Sequence, residues 1–208
     1  MLMQINQSVR PPVFFSGVHG GGKSTLVKRL LDSYEVFREN DFDIDFTIDF
    51  PGIADLSSFE RSLIRLYHRF FIANYAQNLA KHNPGKYILT NRTIYDSEAY
   101  INVYKELGWI TQDQFSKLDF LIGNFTPRPY AIILNPPLEV IKSRLNKRKV
   151  EATRTARDKI FAQEDSDVFL IPLRNYFGKF KNAVKILYLE HDGEDEIKKI
   201  IDWAKNLK

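Results

Sequence analysis

Val13-Phe14-Phe15-Ser16-Gly17-Val18-His19-Gly20-Gly21-Gly22-Lys23-Ser24 runs from an apolar stretch through a glycine-rich turn to Lys-Ser, and Lys23 to Leu31 continues with helical apolar spacing. Strand, glycine turn and helix in that order are the context a phosphate-binding P-loop requires. Glycines at 17, 20, 21 and 22 let the backbone wrap an anion with its amide hydrogens turned inward, and the helix that starts there adds the positive end of its dipole. Lys23 is expected to reach the terminal phosphates of ATP and Ser24 to ligate magnesium. Thr25, the next residue, completes the ATP-binding set with Gly17, Gly20, Gly21, Gly22, Lys23 and Ser24. His19 occupies a variable position of the loop and is assigned no catalytic role.

Outward from the loop, short apolar runs suited to buried strands recur at Val13–Phe15, Tyr34–Phe37, Tyr87–Leu89, Ala131–Leu134 and Val184–Leu189. Between them lie helical patterns. Phe59, Leu63, Leu66, Phe70, Ala73, Ala76 and Leu79 recur every three or four residues on one helix face, and Ser57-x-x-Glu60 opens that helix as a capping box. Thr111-x-x-Gln114 repeats the signal before Phe115–Ile122, Asn135-Pro136-Pro137 opens a helix carrying Val140, Ile141 and Leu145, and a last helix spans about 194–207. Strands alternating with helices imply an α/β fold: three layers, about five parallel strands, helices on both faces. Ligands of such sheets sit at the carboxyl ends of the strands.

The chain of 208 residues and 24.3 kDa suits one domain, with 44% hydrophobic and 27% charged residues well mixed. It has no cysteine, so disulfides and thiolate metal sites are excluded, and its four histidines stand at no ligand spacing. The start lacks a signal-peptide pattern and no long apolar run occurs, so a cytoplasmic protein with no membrane association is expected. The basic stretch from Lys142 to Lys159 suits a lid over polyphosphate, and nucleic acid is not the expected partner.

Thr47-Ile48-Asp49-Phe50-Pro51-Gly52 has the look of a GTPase switch segment, yet no Asn-Lys-x-Asp follows it, and Pro51-Gly52 also reads as a turn before Ser57. A closer match starts at Tyr87-Ile88-Leu89-Thr90-Asn91-Arg92-Thr93-Ile94-Tyr95-Asp96-Ser97, which resembles a segment shared by the P-loop deoxynucleoside kinases and thymidylate kinases. The likeness continues in order through Gly108-Trp109-Ile110-Thr111, Pro127-Arg128-Pro129 and Pro137 to Arg148, the last similar to the stretch that leads into their arginine-bearing lid, here about 144–165. Arg38-Glu39-Asn40 is similar to their acidic substrate-site motif.

The resemblance implies an ATP- and magnesium-dependent phosphotransferase. The expected acceptor is a nucleoside. A nucleoside monophosphate, as in the thymidylate kinases, is the alternative, and a non-catalytic ATP-binding regulatory module is the reading from another class. Lys23, Arg144, Arg148 and Arg154 would then act on the transferring phosphate, Glu39 on the acceptor's proton and Arg92 on the acceptor. Phe42, Phe46, Phe71, Tyr75 and Tyr95 can stack on a base and Gln77 can read its edge. Tyr75 stands near where thymidylate kinases carry an arginine, which favours the nucleoside. Asn91 departs from the pattern, because those kinases have Asp or Glu there; Asp41, Asp49 and Asp96 are candidates to supply the missing charge near magnesium. Oligomeric state is not legible, although a homodimer is compatible with the resemblance.

Overall fold

Val13–Gly17 is buried along its whole length, as only a central strand can be, and the sheet is built outward from it. The computed structural model describes residues 8–40, 52–153 and 160–207. Five strands, β1 (Val13–Gly17), β2 (Phe37–Glu39), β3 (Tyr87–Asn91), β4 (Tyr130–Leu134) and β5 (Ile186–Leu189), are ordered β2-β3-β1-β4-β5 and all pair in parallel. Seven helices among the described residues connect them: α1 (Lys23–Ser33), α2 (Ser58–His82), α3 (Ile94–Glu106), α4 (Gln112–Gly123), α5 (Leu138–Val150), α6 (Asp167–Gly178) and α7 (Glu194–Lys205).

Strand alternation divides the core in two. Val13 and Phe15 face Leu26, Leu30, Ile197 and Ile200 of α1 and α7, whereas Phe14 joins the larger cluster built by α2, α3, α4 and α6. Both faces of the sheet are therefore covered, and the three-layer expectation holds.

The helix starts follow the polar signals of the sequence. Ser57 and Glu60 close a reciprocal capping box at the head of the 25-residue α2, and Thr111 and Gln114 do so for α4. At the head of α3 only half of such a box forms, with Asp96 accepting from Thr93 N at 2.9 Å, and the sequence reading did not identify it. The second strand falls later than its apolar run. Tyr34 closes the end of α1 by donating to Leu30 O, and Phe37 N turns back to Tyr34 O, so pairing with β3 begins only at Phe37. Gly52 has φ 85 and leads into the short turn Ile53–Asp55, while Pro51 lies outside the described residues. No helix among the described residues is long and apolar enough to cross a membrane.

One aromatic cluster ties α3 to α6. Phe169, fully buried, has its ring centroid 5.4 Å from Trp109, 5.6 Å from Tyr100 and 5.8 Å from Tyr104. Deleting that ring leaves a cavity whose walls are themselves rings and cannot collapse easily. Phe169→Ala should cost about 3–5 kcal/mol in urea unfolding with an unchanged m-value; a loss below about 1 kcal/mol would mean the cluster is not a packing centre.

Candidate active site

The loop after β1 turns sharply because its glycines permit it. Gly17 has φ 127, and a Cβ there would lie 2.0 Å from Leu134 O, so the close approach of β1 to β4 admits no side chain. Gly22 has φ 101, and a Cβ there would meet Asp192 Oδ2 at 2.4 Å and Arg144 Nη1 at 2.7 Å. Lys23 is buried and its ammonium donates to Gly17 O at 2.9 Å and Val18 O at 2.8 Å, folded onto the loop it is expected to serve. Ser24 and Thr25 are exposed in the first turn of α1, which carries no acidic residue to compete with an anion.

Beside this loop ends β3, in register with it: Asn91 is opposite Phe15. Arg92 takes a left-handed conformation, φ 69, that a side-chain-bearing residue adopts only when its surroundings hold it. They do so here. Its guanidinium donates to Asp96 Oδ1 at 2.7 Å and to Gly17 O at 3.1 Å. Asp96 also accepts from Ser16 Oγ at 2.7 Å and from Thr93 N at 2.9 Å. Burial pushes the Asp96 pKa up, but the charges of Arg92, Lys23 and Arg69 and the Ser16 hydroxyl outweigh it and hold the carboxyl below its ordinary value of 3.8.

Arg144 and Arg148 lie on α5. Arg144 Nη2 donates to both carboxylate oxygens of Asp192, at 2.8 and 2.9 Å, and its Nη1 donates to Gly21 O at 2.6 Å. Arg29 fastens the same segment by donating to Asp192 O and Glu194. Arg144 thus spans Gly22, between the Gly21 carbonyl and the Asp192 carboxylate. Arg148 is half-buried one turn further along α5. Arg154 lies outside the described residues, as do Asp41, Asp49, Phe42 and Phe46.

On the acceptor side, Phe71 and Tyr75 stack with ring centroids 6.3 Å apart, and Phe71 is 50% exposed. Gln77 is exposed two residues beyond Tyr75, about 200° around the helix from it, so it does not share that face. Tyr95 is corrected outright. Its ring is buried against Phe180 at 5.1 Å and its hydroxyl donates to Pro129 O, so it is core and has no face left for a base. Glu39 is exposed at the end of β2. What the sequence reading missed is a file of arginines on α2. Arg61 and Arg65 lie over the Phe161 ring at 5.2 and 4.8 Å, Arg65 donates to Tyr104 Oη, and the charge of Arg69 acts on Asp96. Their spacing of four was the available signal. His68, beside Arg69, is pushed down to about 4 by burial and by that neighbouring charge, so it is neutral at pH 7.

A magnesium ion fits this corner as a hydrated ion. Among the described residues no three His, Asp or Glu gather into a cage, so a divalent ion needs phosphate oxygens and water as ligands. Asn91 Oδ1 is buried with no hydrogen-bond partner, an acceptor suited to a metal-bound water, while the Asp96 oxygens are already engaged by three donors.

The Asp96 network sets an acid limit. A carboxyl whose folded pKa is depressed contributes stability that is fully present above its unfolded pKa and is lost as pH falls through the folded value. The wild type should lose stability below about pH 4, the unfolded carboxyl value, and Asp96→Asn should be less stable at pH 7 with a shallower acid limb. Unfolding midpoints between pH 2 and 7 measure this; parallel acid limbs in the two proteins would remove Asp96 from the account.

No family profile and no curated protein matches the chain by sequence. By structure it is similar to the deoxyadenosine kinase from M. mycoides with bound dCTP, with TM-score 0.68 and 14% identity over 94% of this chain and 100% of that one. It is similar also to the thymidylate kinase from Candida albicans, with TM-score 0.70 and 17% identity over 95% of this chain and 93% of that one. A five-stranded parallel sheet with a glycine loop after β1 and arginines at the ends of β3 and along α5 thus gives this chain the fold of the P-loop deoxynucleoside and thymidylate kinases.

Proposed function

We propose that the protein is an ATP-dependent kinase that transfers a phosphoryl group to a nucleoside. One observation carries the reading: Arg92, at the carboxyl end of β3, donates to Gly17 O of the phosphate loop itself, so a cation suited to an acceptor adjoins the donor cradle. A sensor of ATP needs the cradle but not the second cation. The similarity to nucleoside and nucleotide kinase structures supports the same class.

Phosphoryl transfer needs positioning and charge neutralisation more than covalent chemistry from the protein. Lys23 would exchange its two loop carbonyls for the terminal phosphates, and the loop amides would hold the rest. The acceptor hydroxyl oxygen would bond to the γ-phosphorus as the bond to the ADP oxygen breaks. Glu39 would take the hydroxyl proton, and Phe71 with Tyr75 would stack on the base. Arg148 and Arg154 would follow the transferring group. Magnesium, when bound, would offset the phosphate charge, held through Ser24 and a water on Asn91 Oδ1.

A specific observation favours a second reading. Arg65 and Arg69 line the side of α2 nearest Asp96 and the return from α5, where a monophosphate on the acceptor would find cations. A screen of nucleosides and nucleoside monophosphates for acceptor-dependent ADP release separates the two. Lys23→Ala should lower kcat/KM about 100-fold or more in a protein that still unfolds cooperatively. ATP binding without acceptor-dependent ADP release from any of these compounds would leave the regulatory module as the reading.

Asn91→Asp should lower the magnesium concentration needed for half-maximal turnover, because it puts a charge where an unpartnered oxygen now stands. An unchanged magnesium dependence would mean Asn91 lies outside the metal's water shell.

A further inference from the structure

His19, left without a role by the motif, is the residue through which the phosphate loop touches the far end of the lid. Its ring is almost wholly buried: Nδ1 lies 2.9 Å from Tyr100 Oη on α3, and Nε2 lies 3.1 Å from Asp165 Oδ1. Asp165 ends the turn Ala162–Asp165, where the chain returns from the lid and enters α6. That turn is anchored on the α2 and α3 side by Phe161, under Arg61 and Arg65, and by the fully buried Glu164, which accepts from Tyr104 Oη at 2.7 Å. The segment 144–165 is thus joined to the phosphate loop at both ends, at its start by Arg144 on Gly21 O and at its close by Asp165 on His19.

The loop's own carbonyls hold the lysine that is expected to serve a phosphate. Lys23 bonds Gly17 O and Val18 O, and Val18 O belongs to the peptide group that His19 continues. When a phosphate takes Lys23, that peptide loses its cation, and the adjoining residue is the one seated against Asp165. His19 Nε2 and Asp165 Oδ1 are in contact but off the hydrogen-bonding axis, so a small turn of the loop changes their alignment. Tyr100 extends the same path, since its hydroxyl also bonds the Arg92 side chain.

We propose that His19 is a positioning residue that couples donor-phosphate binding to the lid return through Asp165. The proposal rests on the reading of the loop as an ATP site. Coupling between two sites is reciprocal, so what orders the lid return also tightens the donor.

The test uses a non-hydrolysable ATP analogue with magnesium on the full chain, reading its Kd and the amide exchange of residues 144–169 with and without it. The wild type should bind and slow exchange at 160–169. His19→Ala and Asp165→Asn should each weaken binding about 5-fold or more and lose most of that slowing, and the double variant should be no worse than either alone. His19→Gln, whose amide can still donate to Asp165, should recover part of both, and with Asp165→Asn it decides the matter if His19→Ala does not fold. Multiplying effects in the double variant, or full slowing of exchange in both single variants, would overturn the proposal while leaving the ATP site intact. Failure of the wild type to bind the analogue would overturn the ATP reading, and this inference with it.

Discussion

Asp96 gathers three separate parts of the chain onto one buried carboxylate. Ser16 at the end of β1, Arg92 beyond β3 and the Thr93 amide at the head of α3 all donate to it. A buried carboxylate survives only when its lone pairs are satisfied and its charge is matched, and here Arg92, Lys23 and Arg69 supply that match. The consequence is geometric. The carboxyl ends of β1 and β3 are held together, Arg92 is kept in its left-handed conformation, and its guanidinium is set against the first carbonyl of the phosphate loop. Removing the carboxylate would leave the buried Lys23 and the half-buried Arg92 without the anion that matches them.

The same economy explains why this corner has few free charges. Lys23 rests on loop carbonyls and Arg144 on Asp192, so the cradle's cations are partnered within the protein before any phosphate arrives. On the proposed reading a phosphate would displace the hydrogen bonds of Lys23, so its binding would be an exchange of partners rather than the filling of a preformed positive pit. α5, which bonds the Gly21 carbonyl, and the turn Ala162–Asp165, which meets the His19 ring, would be placed to respond to it.

The carboxyl end of β3 follows the same logic. Asn91 leaves a neutral, unpartnered oxygen at the end of β3, while the neighbouring carboxylate is spent on protein donors. The two residues divide between them what one acidic side chain would otherwise do: Asp96 organises the cations, and Asn91 keeps an acceptor open.

Local signals in the sequence determined the phosphate loop, the capping boxes at Ser57 and Thr111, and the alternation of strands and helices. A glycine spacing, a Ser-x-x-Glu pattern or an apolar period acts within a few residues, so its physics is complete in the linear chain. Only the tertiary structure decided what distant residues do to each other. That Arg144 pairs with Asp192, 48 residues away, is visible only in space, and Tyr95 looked like a base-stacking ring until Phe180 and Pro129 enclosed it. His19 carried no signal at all, because its role comes from Tyr100, 81 residues on, and from Asp165 at the lid's close. Hydrogen bonds and ion pairs act only across a few ångströms of space, and separation along the chain says nothing about that distance until the sheet has brought the carboxyl ends of its strands together.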